Sequence, residues 1–240
     1  MSYAFMISLI LLNLNCWDNM DKKISLAPNV YPVYKIQESF EIDGKGSQPV
    51  WAKAAVLDRF SYPWRNEEAP TTVFRALYND THLYFLYWAE DEAIITKNDS
   101  SMGIEREVVN SDRVEIFFKA NDEMNPYYSL EMDAQARVLD TEGRYYRNID
   151  MDWSWPEGGL HVKSKMEKNG YWLEGMISFA SLKALGMHNG NDLQAGLYRG
   201  EYVYDDKVEV EVKWISWIQP DSEHPDFHIP SSFGILRLME

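Results

Sequence analysis

The chain has 240 residues, enough to bury one sizeable core, and its formal net charge of -15 disfavours phosphate backbones and anionic lipid surfaces, which attract Lys and Arg. Its 9 Trp and 15 Tyr exceed what such a core needs, which places some rings at contact surfaces, and its 1 Cys excludes an internal disulfide. Nucleic acid is thereby set aside as a partner, and a membrane enters only through a lipid anchor.

Residues 4–12 form an apolar run too short for a spanning helix of about 20 residues and suited to the hydrophobic stretch of an export signal. Cys16 follows where a bacterial lipoprotein is cleaved and lipidated, although no Lys or Arg precedes the run. The expected organisation is a leader over residues 1–16, a tether over 17–33 interrupted by Pro28 and Pro32, and one domain over 34–240. Such a protein is exported, to the bacterial cell envelope as an outer-membrane lipoprotein, or to the periplasm or exterior.

Within the domain, Phe40-Glu41-Ile42 reads as a short edge strand, and Pro49 opens a single helical turn in which Trp51 plugs the end of a sheet. Trp64 and Arg65 sit in a loop that leaves them exposed or folded back. Residues 71–78 and 83–90 are β runs joined by the turn Asn79-Asp80-Thr81-His82, hence a hairpin. Residues 91–110 read as a long polar loop. In residues 113–119 the pattern has period two, with Val114, Ile116 and Phe118 on one side and Arg113, Glu115, Phe117 and Lys119 on the other. A Glu and an Arg beside a Phe on a rigid strand suit a hydroxyl-rich ligand held against an aromatic surface; the plainer reading is a solvated face carrying an Arg-Glu pair.

Further runs at 127–134, 137–140 and 160–166 continue the meander, with an aromatic-acidic loop at Asp150, Asp152, Trp153 and Trp155. Asn169-Gly170 turns into 171–177, a short helix over 179–185 stops at Gly186, and 194–203 with 208–214 make a hairpin around Asp205-Asp206. The last strand covers 235–238. The fold class is all-β, an antiparallel, jelly-roll-like β-sandwich with one or two short helical turns.

Four pieces in order carry a resemblance: Phe40-Glu41-Ile42-Asp43-Gly44 with Trp51; Leu77-Tyr78-Asn79-Asp80 with Leu83-Tyr84; Asp112-Arg113-Val114-Glu115-Ile116-Phe117; and residues 227–236, from Phe227 through Phe233-Gly234-Ile235-Leu236. Together they resemble the family 9 carbohydrate-binding modules, best known as appendages of xylanases, and their free-standing bacterial relatives. The resemblance implies a non-catalytic sandwich that binds the end of a sugar chain, of plant-type polysaccharide such as xylan, between two tryptophans. It gives Glu115 the role of hydroxyl acceptor and matches Arg199 to an arginine of the free-standing relatives. At the two tryptophan positions this chain has Val109 and Phe227, so Trp64, Trp155 and Trp217 join Phe227 and Arg113 as candidate contacts. The resemblance implies no cofactor, permits structural calcium at acidic loops such as the one at Asp150 and Asp152, and allows a separate glycoside hydrolase chain as partner.

Three other readings stay open. A glycosidase needs two carboxylates flanking the bond, and Glu115 and Glu131 lie on strands that can be neighbours. A haem module is disfavoured by the lack of Cys-x-x-Cys-His; His228 reads as hydrogen-bonded before the last strand and His224 as solvent-facing. A scaffold that has lost sugar binding would carry substitutions such as Val109 and Phe227.

Overall fold

The computed structural model describes residues 27–98, 103–205 and 209–240. The expected leader with Cys16, most of the tether and the turn at Asp206 lie outside them. The strands are β1 Val30–Lys35, β2 Thr72–Tyr78, β3 His82–Glu90, β4 Arg113–Lys119, β5 Tyr127–Asp133 and β6 Val138–Arg144, then β7 Asn148–Asp150, β8 Leu160–Glu167, β9 Gly170–Ser178, β10 Asp192–Asp205, β11 Glu209–Ser216 and β12 Gly234–Met239. Two short helices, α1 Ile104–Val109 and α2 Phe179–Ala184, and 3-10 turns at Pro49–Lys53 and Pro230–Ser232 complete the secondary structure.

Hydrogen bonding runs in one ladder, β7-β6-β5-β4-β10-β12-β1-β2-β3-β9-β8, with β11 also paired to β10. The ladder curls until its halves face each other. Ile116, Leu130 and Leu197 from one half share a core with Phe74, Phe85 and Leu173 from the other. The Tyr87 hydroxyl of β3 donates across that core to the Glu115 carbonyl of β4, 3.1 Å away, and Ser164 Oγ of β8 donates to Ala134 O at 2.9 Å beside the end of β5. This is the sandwich expected of alternating strands.

Four expectations change. The sheet is mixed, because β1 runs parallel to both β12 and β2. It also starts at Val30, inside the expected tether: Pro32 pairs with β12, whereas β2 joins only at Tyr34 and Lys35, so the missing proline N–H falls where one side of β1 is free. Phe40 and Ile42 form no strand; Phe40 stacks on Tyr84, 4.5 Å between ring centroids, and meets Trp51 edge-on at 5.4 Å. Their alternation serves a plug. Trp51 is buried as expected, its Nε1 donating to Glu174 at 2.8 Å, and the loop after β3 contains α1.

Candidate functional site

The parity read in β4 is the one the fold uses. Val114, Ile116 and Phe118 enter the core between the halves, while Phe117 belongs to a second apolar cluster on the opposite face with Tyr127, Tyr198, Phe227 and Phe233. All seven residues of β4 are buried, so the face is not solvated. Its cover is the segment between β11 and β12. Trp64 Nε1 donates to Ser222 O at 2.9 Å, Gln219 Nε2 to Pro63 O at 3.0 Å and the Tyr198 hydroxyl to Ser232 Oγ at 2.7 Å, and these bonds fix that segment over the sheet.

Between sheet and cover lies a cavity of about 300 Å³. Arg113, Glu115 and Glu131 make its floor, Trp214 and Phe227 one wall, and Asp226 and His228 part of the rim. Glu115 and Glu131 are direct cross-strand partners. Arg113 Nε lies 2.8 Å from an oxygen of each, at Glu115 Oε1 and Glu131 Oε2. That nitrogen has one hydrogen, and it points to Glu115. Glu131 Oε2 is consequently a buried acceptor with no donor aimed at it. Arg113 is further held by Nη1 donating to Val109 O at 2.9 Å, and its guanidinium carbon lies 5.2 Å from the Trp214 ring.

The electrostatics follow from burial. Burial raises Glu115 above the carboxylate range; Arg113 pulls it back and Glu131 pushes it further up. Burial opposes the Arg113 charge, but Glu131 and Glu115 outweigh it and keep the guanidinium charged. Burial, with the Arg147 charge nearby, brings His228 down to about 4 despite Asp226, so the imidazole is neutral at pH 7. Its Nδ1 shares a hydrogen bond of 2.9 Å with the Tyr127 hydroxyl. Asp226 is desolvated, yet bonds from Tyr146, the His228 N–H and Arg147 bring it below its usual value. The cavity thus offers fixed acceptors, a fixed cation, a neutral ring and an indole face, a set suited to hydroxyls and C–H surfaces.

The family model "Carbohydrate family 9 binding domain-like" matches residues 42–240. The chain belongs to this family. Its members are binding modules without catalytic function of their own. No curated protein sequence matches the chain. Among solved structures it is similar to a candidate carbohydrate-binding protein from Bacteroides uniformis, at 16% identity and TM-score 0.67 over 88% of this chain and 99% of that one. It is also similar to a carbohydrate-binding module family 9 from Caldicellulosiruptor kristjanssonii. The complex of that module with glucose has 19% identity and TM-score 0.55 over 87% and 95% of the two chains, and the complex with cellotriose 18% and 0.56 over 87% and 93%.

In this family 9 domain the residues singled out from the sequence divide into three groups. Glu115, Arg113 and Phe227 meet at the cavity. Trp64 reaches only its back, 5.4 Å from the Phe227 ring, and with Trp214 and Pro225 it lines a neighbouring depression. Arg199, Trp155 and Trp217 do not reach it. Arg199 is opposite Val114 in the β4 register, so it points into the sandwich, where Nη2 donates to Glu90 O at 2.7 Å and lies 3.2 Å from Asp91 Oδ2. Trp155 and Trp217 are buried in the main core. Val109 contributes its carbonyl rather than a ring. Trp214, Asp226 and Arg147 are not among the sequence candidates; Trp214 alternates with Ile215, which is buried, and so faces outward.

At the acidic loop considered for calcium, Asp150 Oδ1 accepts the Asp152 N–H at 3.0 Å. Among the described residues no group of three or more His, Cys, Asp or Glu converges as a metal site would require. Among them, too, no helix is long and apolar enough to cross a membrane.

Proposed function

We propose that this domain binds the terminal ring of a plant-type glycan, a glucan or xylan end, in the cavity above Arg113, Glu115 and Glu131, without cleaving it. The observation that carries the reading is the Arg113 pivot. One guanidinium N–H faces two carboxylates and leaves Glu131 Oε2 an unused acceptor beneath the Trp214 wall. A sugar hydroxyl is the donor that such an acceptor lacks, and an indole suits the C–H face of a pyranose. A cavity of about 300 Å³ is at the small end of ligand sites, which favours one ring of the chain. The glucose and cellotriose complexes of the similar Caldicellulosiruptor kristjanssonii module support the same ligand class.

Hydrolysis is disfavoured by the same pivot. A glycosidase holds its carboxylates on either side of the scissile bond, whereas here Arg113 Nε lies between them, 2.8 Å from each. The deciding experiment is calorimetric titration with glucose, cellotriose and xylotriose, with chromatography of the recovered sugar. Binding without cleavage that is weakened by Glu131→Gln is expected. No heat from any of the three, in a folded protein, would leave the scaffold reading.

A further inference from the structure

On the other half of the sandwich, β2, β3 and β9 turn Val73, Trp88 and Trp172 outward in one row. Val73 is directly opposite Trp88, and Trp88 directly opposite Trp172. The two indoles are half-buried, 4.8 Å apart between ring centroids and tilted by 44°. They wall a cavity of about 420 Å³, with Arg75 and Leu86 also lining it and the segment around Pro49 at its edge.

The rings are wedged in place. A side chain at Gly46, where φ is +60°, would strike Leu86 and Trp172, and one at Gly170 would strike the Trp88 ring. Backbone packed this closely against both indoles leaves them little room to swing, as a preformed platform requires. The charge around them is unusual for this molecule. In a chain with 38 Asp and Glu, no described residue lining the cavity is acidic, and Arg75 is the charged one. Its Nη1 is anchored on Trp51 O at 2.9 Å, which fixes the guanidinium without neutralising it. Glu174 is occupied by the Trp51 indole and the N–H groups of Asp43 and Gly44.

We propose that this cavity is a second ligand site, for a sugar ring that carries a carboxylate, the uronic acid unit of a glycan. The ring face lies on the Trp88 and Trp172 indoles and the carboxylate meets the free edge of the Arg75 guanidinium, whose planar fork matches it. The net charge of the whole chain does not forbid this, because at physiological salt charges are screened beyond about 8 Å and the local cation decides. The site is separate from the Glu115 cavity and stands whether or not that cavity takes sugar.

The test is proton-nitrogen correlation spectroscopy of the tryptophan indole N–H groups in the full chain, titrated with methyl β-glucuronide and with methyl β-glucoside. Trp88→Phe and Trp172→Phe assign the two signals. The glucuronide should move both signals saturably, in the wild type and in Glu115→Gln alike, and should bind about tenfold more tightly than the glucoside, as expected for one charge-assisted pair. Arg75→Gln should abolish that preference. Because Arg75 also holds Trp51, the wild-type ratio of the two sugars tests the same claim without a variant. Stationary Trp88 and Trp172 signals would overturn the site, and equal affinity for both sugars would overturn carboxylate recognition. A response lost in Glu115→Gln would assign it to the first cavity and overturn the second.

Discussion

Phe227 lies flat against Tyr198, the ring centroids 4.0 Å apart and the planes 7° from parallel. Its other neighbours are Trp64 at 5.4 Å and Trp214 edge-on at 5.7 Å. A ring whose face is spent on Tyr198 cannot offer that face to a ligand. Trp214 and Phe227 thus share the aromatic wall of the cavity, with one face of Phe227 closed to a ligand by Tyr198.

Phe227→Ala is accordingly expected to act on stability first, costing about 3–5 kcal/mol as buried Phe truncations do. Phe227→Trp, which restores the residue type the family resemblance expects there, should also destabilise, by about 1–3 kcal/mol, because Tyr198 and Trp64 already fill the space. Urea unfolding of the three proteins checks both; a stabilised Trp variant would show that room for an indole exists.

Arg113 is expected to be the most sensitive residue of the floor. Arg113→Met leaves Glu115 and Glu131 facing each other, both largely buried, with no cation between them. Losing a buried ion-pair partner costs about 3–5 kcal/mol, and adding Glu115→Gln should recover part of it by removing one of the two buried acids that face each other without a cation. The double-mutant cycle by chemical denaturation reads the recovery. Additive losses would mean that the three groups do not act as one unit.

How much of this was legible before the fold was known depends on the distance over which a signal acts. The hairpin at Asn79-Asp80-Thr81-His82 and the parity of β4 are local, set by turn chemistry and period two, and both are as read. Phe40 and Ile42 alternate like a strand but have no partner strand, which no local pattern reveals. That Arg199, a candidate contact through the family resemblance, faces away from the cavity has the same origin. Its orientation depends on the register that sets Tyr198 against Glu115 and hence Arg199 against Val114, and register is a property of two strands. Asp226 and Arg147, joined by a 2.8 Å ion pair, come from separate loops and meet only once β6 and the cover are folded.

His228 should set the acid limit of stability. Its value falls from 6.5 to about 4 on folding, so between those pH values the unfolded chain takes up a proton that the folded chain refuses. Stability from this group is complete above pH 6.5 and is lost as pH falls toward 4, by up to about 3 kcal/mol. His228→Gln should flatten that limb, measured as the difference in unfolding free energy between pH 7 and pH 4 for the two proteins. An unchanged slope would show that other groups carry the acid transition.

Arg199 separates structure from binding most sharply. It is fully buried between the sheets, with Nη1 3.3 Å from Thr72 Oγ1 and Nη2 shared between Glu90 O and Asp91 Oδ2. Arg199→Met strands Asp91, a buried carboxylate, and removes the donor to the Glu90 carbonyl at the end of β3, so a loss of about 3–5 kcal/mol is expected. Arg199→Lys keeps the charge but not the fork, and should fall between the two. Neither should alter the sugar affinity of the folded fraction, because β10 points this side chain away from Glu115. Calorimetry below the melting transition of each variant compares affinity with stability directly. A weakened sugar affinity in a fully folded Arg199→Lys protein would place Arg199 in the binding machinery after all, coupled to the cavity through β10.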